Sequence, residues 1–322
     1  MPFGGAIQAE YIDKDPAYRQ AFLTYCDLIM PMNELKFGQI QPQRGEWNFE
    51  PADKLVDFAR SHGRLSRGTC HVWWNSTPDW VAALETPAEA EAALVQHIET
   101  VTDRYKGRLR SWDVVNEVAA NDPIYDGRSL RDTVWMQKLG PRHIPIAFKA
   151  TANADPSARL VINDYDLEYA GPEFDAKRAV ILSIVRQLQD HNVRVDAVGM
   201  QGHLYTDDHR IDGDAILAFH RELDKLGLGI LVTELDVIDR NGSPAAAAQD
   251  KRAEKVVSEL LDAVFAWKPP EAVIAWGITD RYSWIPDSMP RPDGAPQRPL
   301  PLGRDMHEKS WMKLLQKRLG SV

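Results

Sequence analysis

Eight short apolar segments alternate with amphipathic ones along the chain, and this alternation constrains the fold more than any other feature. The apolar segments have the length and the β-branched content that are typical of buried strands. They span residues 3–8, 28–35, 64–73, 109–117, 160–166, 197–204, 230–237 and 273–280. Repeated strand-then-helix units of this kind predict a parallel sheet with helices packed against it.

The segment from Pro87 to Tyr105 is the clearest of the intervening helices. Thr86 can cap its start, Pro87 suits the first helical position, and Glu89 completes a capping box. Apolar residues then recur at helical spacing, at Leu94, Ile98, Val101 and Tyr105. Similar patterns predict helices over residues 174–189 and 216–226, and a further helix that opens at Ser243-Pro244.

We expect these units to form one (β/α)8 barrel, a TIM barrel, in which residues 1–322 make a single domain. A chain of this length could hold two domains, but no linker or composition break divides it. The rival is a doubly wound open sheet, and eight regular units without a glycine-rich phosphate loop weigh against it. The proline-rich residues 286–301 are predicted to form a loop over the barrel mouth.

Charge and cysteine content exclude several classes of partner. The net charge of −9 argues against nucleic acid and against an anionic membrane, since both call for clustered lysine and arginine. Cys26 and Cys70 have no metal-type spacing, so we expect two small buried residues rather than a disulfide scaffold. We expect no signal peptide in the residues before the first strand. We expect a monomer that is secreted or periplasmic, its leader absent from this chain, with the cytoplasm as the alternative.

Polar and aromatic residues follow the predicted strands where each strand ends, and in a (β/α)8 barrel these ends converge on one mouth. They are Asn33, Glu34, Lys36, Trp73, Asn116, Glu117, Asn163, Asp164, Gln201, His203, Glu234, Asp236, Trp276, Asp280 and Trp284. Carboxylates, amides, one histidine and several tryptophans suit a neutral, polyhydroxylated ligand. No metal or cofactor is expected, because the sequence shows no histidine or cysteine cluster with ligand spacing.

Two carboxylates stand out in this set. Glu117 ends the segment 109–117, and Glu234 lies near the end of the segment 230–237. Two carboxyl groups at the ends of different buried strands suggest a pair that cleaves a glycosidic bond.

Five motifs, in this order along the chain, resemble the signature set of glycoside hydrolase family 10. They are residues 112–117 (Trp-Asp-Val-Val-Asn-Glu), 163–165 (Asn-Asp-Tyr), 199–203 (Gly-Met-Gln-Gly-His), 233–236 (Thr-Glu-Leu-Asp) and 276–280 (Trp-Gly-Ile-Thr-Asp). Members of that family are (β/α)8-barrel endo-β-1,4-xylanases that act with retention. The resemblance covers essentially the whole chain. It implies a catalytic barrel that acts on xylan or on xylo-oligosaccharides.

The resemblance implies that Glu117 is the acid/base and Glu234 the nucleophile. Retention needs the two carboxyls about 5–5.5 Å apart, with Glu117 protonated at rest and Glu234 ionised. The resemblance also implies supporting roles for four residues. His203 bonds the nucleophile, and Asp236 orients that imidazole. Asn116 contacts the sugar 2-hydroxyl, and Gln201 lies beside it. Asp164 and Asp280 are interpreted as structural.

Aromatic and polar residues of the family's glycone side are also matched. Trp276 and Trp284 resemble the two tryptophans that wall this side, and Trp73 matches a third. Asn33 and Lys36 match the polar pair after the second strand, where family members contact the non-reducing sugars.

Two departures from the family pattern lie on the same glycone side. Met32 stands where the family has a glutamate that bonds sugar hydroxyls, a hydrogen bond worth about 1.5–3 kcal/mol. Thr69 stands where the family has a sugar-binding histidine, and Trp74 replaces a second histidine. His71 is expected to share the strand face of Thr69 and to substitute in part for that histidine. The alternative is that His71, as a lone histidine, is a packed or capping residue.

The sequence therefore predicts an endo-β-1,4-xylanase or xylo-oligosaccharide hydrolase that works by double displacement. Because the glycone side is altered, decorated or short xylo-oligosaccharides remain alternatives, as does a non-xylan β-glycoside. A non-catalytic carbohydrate-binding relative is the alternative from another class. The catalytic quartet of Asn116, Glu117, His203 and Glu234 favours the enzyme, because a binding protein does not need it.

Overall fold

The computed structural model describes residues 1–122 and 129–320. All strand pairings in these ranges are parallel. The strands are β1 (Phe3–Ile7), β2 (Leu28–Pro31), β3 (Leu65–Ser66), β4 (Gly68–Val72), β5 (Ser111–Asn116), β6 (Arg159–Asp164), β7 (Ala197–Met200), β8 (His203–Tyr205), β9 (Gly229–Ile238) and β10 (Val273–Ala275).

Two strands of the sheet are each interrupted once, and the first of them joins the two ends of the sheet. β3 pairs with β2 and β4 pairs with β5, and only Arg67 separates β3 from β4. β7 is followed, after a turn at Gly202 with φ of 77°, by β8, which pairs with the far end of β9. Each interrupted strand counts once, so the described residues form a closed eight-stranded barrel. The predicted (β/α)8 architecture is confirmed.

Helices surround this barrel. They are α1 (Ala9–Ile12), α2 (Pro16–Tyr25), α3 (Phe37–Ile40), α4 (Glu50–Ser61), α5 (Asp79–Ala82), α6 (Pro87–Arg104), α7 (Val134–Leu139), α8 (His143–Ala154), α9 (Pro172–Asp190), α10 (Gly213–Lys225), α11 (Ala246–Phe265), α12 (Ile285–Ser288) and α13 (Ser310–Leu319). The predicted capping box of α6 is present, since the Thr86 hydroxyl and the Glu89 carboxylate each accept a backbone N–H of the other residue.

Several predicted boundaries are moved in the structure. The segment predicted over residues 273–280 is a strand only to Ala275, because Gly277 has φ of 117° and turns the chain away. β9 extends one residue beyond each end of the predicted segment, from Gly229 to Ile238, and β8 pairs with its last three residues. The helix predicted to open at Ser243-Pro244 begins at Ala246.

Two apolar clusters pack the barrel. The larger lies between the strands and the helices. The smaller cluster is built mostly from strand residues and reaches the mouth at Met32 and Trp276. Trp284 packs against this smaller cluster. Arg67 lies buried between β3 and β4, where it donates to the Ser111 hydroxyl (3.2 Å) and to the Asp113 carboxylate. The mouth therefore rests on a rigid, fully packed barrel.

Cys26 and Cys70 are both free and buried, as expected from their isolated positions. None of the helices in the described ranges combines the length and the apolar composition that a bilayer crossing needs.

Candidate active site

A cleft of about 700 Å³ lies at the carboxyl ends of the barrel strands. Many of the residues predicted for the barrel mouth line it together, namely Asn33, Lys36, Trp73, Glu117, Gln201, His203, Glu234, Trp276 and Trp284. Asn116, Asn163 and Asp236 lie directly behind them in hydrogen-bond contact. The strand ends thus bring both candidate carboxyls to one cleft.

Glu117 follows β5 in the left-handed region, with φ of 55°. Its backbone N–H donates to the Asn163 carbonyl (2.8 Å), which fixes the direction of its side chain. One carboxyl oxygen accepts the indole N–H of Trp74 (2.6 Å), and the other accepts the side-chain amide of Gln201 (3.2 Å). Both oxygens are therefore oriented by neutral donors.

Glu234 lies within β9, and its side chain is 7% exposed. One carboxyl oxygen accepts the side-chain amide of Asn163 (2.7 Å), and the other lies 3.3 Å from the Nε2 atom of His203. Its backbone N–H donates to the Gln201 carbonyl (2.7 Å). Hydrogen-bonding partners therefore hold both oxygens of this buried carboxyl group in place.

Amide side chains connect the two carboxyl groups. The Asn116 side-chain oxygen accepts from Asn163 (2.8 Å), which also donates to Glu234. The same oxygen accepts from Gln201 (3.3 Å), which also donates to Glu117. We call these three residues the amide bridge. A Cβ atom at position 199 would lie 2.1 Å from the Asn163 side-chain oxygen, so the bridge requires the glycine that stands there.

His203 joins Glu234 to a second carboxylate. Its Nδ1 atom lies 2.7 Å from Asp236, whose other oxygen accepts the indole N–H of Trp284 (2.8 Å). Burial alone would lower the pKa of His203, but the carboxylates of Asp236 and Glu234 outweigh burial and hold it well above its ordinary value. An imidazolium therefore stands beside Glu234.

The other side of the cleft is aromatic and apolar. The Lys36 ammonium donates to the Asn33 side chain (2.8 Å) and lies 4.5 Å from the ring centre of Trp73 and 5.2 Å from that of Trp276. Met32 lines the same side and is buried in the apolar cluster. Aromatic ring faces and the Asn33–Lys36 pair therefore form this side of the cleft.

Thr69 and His71 do not line this cleft, which corrects the interpretation of His71 as a partial substitute for the missing histidine. Thr69 is buried at 1% exposure. His71 stacks on Trp112 (ring centres 4.2 Å apart) and hydrogen-bonds the Thr102 hydroxyl on α6 (3.0 Å). The pairing of β4 with β5 shifts register between Thr69 and Val72, so simple strand alternation fails there.

Three carboxylates of the predicted set are held away from the cleft. Glu34 accepts the backbone N–H groups of Ala9 (2.7 Å) and Asn33 (3.0 Å). Asp164 pairs with Lys177 (3.0 Å), and Asp280 pairs with Lys309 (2.6 Å), in each case with both partners buried. Within residues 1–122 and 129–320, no cluster of three or more potential metal ligands occurs.

The structure adds functional residues that sequence reasoning missed. In the sequence, Trp74 is only a departure from the family pattern. In the structure, its indole contacts Glu117 and Trp74 is 46% exposed. Tyr11, Tyr205 and Tyr282 also line the cleft. No periodic pattern marks these positions, because they lie in short elements, namely α1 (Tyr11), β8 (Tyr205) and two 3-10 turns (Trp74 and Tyr282).

A (β/α)8 barrel whose mouth presents two carboxyls, an amide bridge and tryptophan walls defines a glycoside hydrolase. The family model described as Glycosyl hydrolase family 10 matches residues 1–317. The chain belongs to this family.

Relatives and solved structures agree with this assignment. The chain is 32% identical over 264 residues to endo-1,4-beta-xylanase B of Thermotoga neapolitana, covering 81% of this chain and 72% of that protein. It is 33% identical over 271 residues to endo-1,4-beta-xylanase 1 of Gibberella zeae, covering 81% and 73%. The crystal structure of xylanase 10B from Thermotoga petrophila in complex with xylobiose superposes with a TM-score of 0.89 at 28% identity, covering 99% of this chain and 94% of that one.

The raised pKa of His203 gives a prediction about charge. The neighbouring carboxylates raise this pKa because they attract the imidazolium. This attraction makes its full contribution to the stability of the fold below about pH 6.5, and the contribution is lost as the pH rises through the raised pKa. Asp236→Asn removes one of the two negative charges, so we expect His203 to lose its proton at a lower pH. Histidine NMR resonances followed against pH measure this, with the exposed His307 as an internal control. Equal His203 titration in both proteins would contradict the account.

Proposed function

We propose that this chain is a retaining endo-β-1,4-xylanase or xylo-oligosaccharide hydrolase, and that residues 1–322 act as one catalytic domain. The observation that supports this most is the amide bridge, which ties Glu117 and Glu234 to one cleft lined by tryptophans. The xylanase names of the relatives and the xylobiose bound to one structural neighbour support the substrate class.

In the proposed first step, Glu234 attacks the anomeric carbon while Glu117 gives its proton to the leaving oxygen. The His203 imidazolium and the Asn163 amide hold the Glu234 carboxyl group in position before attack. In the second step, Glu117 takes a proton from water, and that water displaces Glu234 from the sugar. The Asn116 side-chain oxygen accepts from Asn163 and Gln201, and its NH2 group donates one long hydrogen bond to Glu117 (3.5 Å). The second N–H of that group is the donor proposed for the sugar 2-hydroxyl.

Different residues recognise the glycone sugars and the leaving group, on the two sides of Glu117. Trp276, Trp284 and Trp73 form the wall for the glycone sugars, with Asn33 and Lys36 as their polar contacts. Trp74 borders the position of the leaving group. Met32 favours a second candidate, a β-glycosidase for short, decorated or non-xylan glycosides, because a thioether replaces a hydrogen-bonding carboxylate on the glycone wall.

The first test is activity and trapping. The purified protein should cleave xylan, xylo-oligosaccharides or an aryl β-xylobioside, in a panel with aryl β-cellobiosides and β-glucosides. Glu234→Ala should abolish turnover, and Glu117→Ala should lower it by roughly 10²- to 10⁴-fold on sugar leaving groups because general acid catalysis is lost. Incubation with a 2-fluoro-xylobioside should leave a covalent adduct on the peptide that contains Glu234.

Glu85→Ala removes an exposed carboxylate far from the cleft and should leave turnover unchanged. Cleavage of none of these substrates would reject the proposed function. An adduct on any other residue would reject Glu234 as the nucleophile.

The glycone wall gives a second prediction. Met32→Glu supplies a carboxylate that accepts hydrogen bonds from sugar hydroxyls, so we expect the KM for an aryl β-xylobioside to fall roughly tenfold. Met32→Gln, of similar size but uncharged, is the control and should give a smaller gain. An unchanged or higher KM in the folded Met32→Glu variant would show that the glycone does not contact this position.

A further inference from the structure

One short turn contacts both carboxyl groups of the active site. Residues 201–203, which we call the bridging turn, join β7 to β8. Gln201 at its start donates to Glu117, and His203 at its end lies against Glu234. The turn also accepts two backbone N–H groups of β9, from residues 234 and 236. A displacement of this turn would therefore misplace both carboxyls together.

Two adjacent residues of the loop after β6 hold the bridging turn from below. The Glu168 carboxylate accepts the N–H of Gly202, the middle residue of the turn (2.7 Å). The Tyr169 hydroxyl donates to the His203 carbonyl (2.7 Å) and accepts the backbone N–H of Tyr205 (3.0 Å). Glu168 is 1% exposed and Tyr169 is fully buried. Neither side chain lines the cleft, so neither contacts the substrate directly.

This pair is itself firmly anchored. Arg178 on α9 is buried and donates to the carbonyl groups of Leu167 and Tyr169 (2.9 and 3.0 Å). The backbone N–H of Asp212 donates to the Glu168 carbonyl (2.9 Å). The loop therefore forms a fixed support on which the bridging turn rests.

We propose that Glu168 and Tyr169 are positioning residues for the glycosidase reaction, and that their side chains keep Gln201 on Glu117 and His203 on Glu234. The proposal rests on the function proposed above. Catalytic groups held even 1 Å from their productive position lose much of their effect. Because Glu168 and Tyr169 hold the catalytic groups in position and do not line the cleft, their side chains act on the chemical steps rather than on sugar binding.

Ionisation of Glu168 leaves this support intact. Burial raises the pKa of Glu168 to about 7, and the nearby Asp166 carboxylate adds to the rise. The titratable groups that face it in the described residues are Asp166 on its own loop, His203 on β8 and Tyr169. Both the acid and the carboxylate keep an oxygen that accepts the Gly202 N–H. A glutamine offers the same acceptor without the charge and is the conservative variant.

The test compares Glu168→Ala, Glu168→Gln and Tyr169→Phe on an aryl β-xylobioside, well below the midpoint of thermal unfolding. We expect Glu168→Ala and Tyr169→Phe to lower kcat by roughly 10- to 100-fold with little change in KM, because the cleft walls are untouched. Glu168→Gln should recover most of the lost kcat at pH values on both sides of 7. Tyr105→Phe is the matched control, since it removes a tyrosine hydroxyl bonded to Asp53 far from the cleft and should leave kcat unchanged.

The outcomes separate the two proposals. If the wild type cleaves the substrate but Tyr169→Phe and Glu168→Ala keep its kcat, or lose activity only through KM, the positioning role is rejected and the proposed function stands. The positioning role is also rejected if Glu168→Gln does not restore kcat, because the lost hydrogen bond to Gly202 would then not explain the loss of activity in Glu168→Ala. Should Glu168→Ala not fold, the nearly isosteric Tyr169→Phe decides. A wild type without activity rejects the proposed function itself.

Discussion

Side-chain amides, rather than opposite charges, connect the two carboxyl groups of this cleft. Gln201 and Asn163 each donate one hydrogen bond to a glutamate and one to the Asn116 oxygen. A buried network of hydrogen bonds fixes a single arrangement of these side chains. The barrel serves this network, because Asn116, Asn163, Gln201 and Glu234 come from four different parts of the sheet or its turns.

Positive charge stands on both sides of this network. The His203 imidazolium lies against Glu234, and the Lys36 ammonium lies across the cleft between two tryptophan rings. Burial lowers the pKa of Lys36, while the carboxylates of Glu234 and Glu117 oppose that effect. The cleft thus combines a few charged groups with tryptophan ring faces, which suits a neutral sugar chain.

Much of the fold could be predicted because local physics and tertiary structure agree in it. The apolar segments, the α6 capping box and the paired polar residues at strand ends all follow from periodicity and from barrel geometry. The incorrect prediction and the residues that the sequence did not reveal lie where the backbone is irregular. A register shift turned His71 toward α6, and a 3-10 turn placed Trp74 on Glu117. Glu168 and Tyr169 act through a loop, where sequence periodicity carries no information.

The central claim is that Glu117 and Glu234 face one sugar ring closely enough for double displacement, and the stereochemistry of the product tests it most directly. Carboxyls about 5–5.5 Å apart give retention, whereas a separation of roughly 6.5–9.5 Å leaves room for water and gives inversion. Proton NMR of the anomeric signals in the first minutes of hydrolysis, before mutarotation, reads out the outcome. The account predicts that the β-anomer forms first. Initial formation of the α-anomer would contradict it.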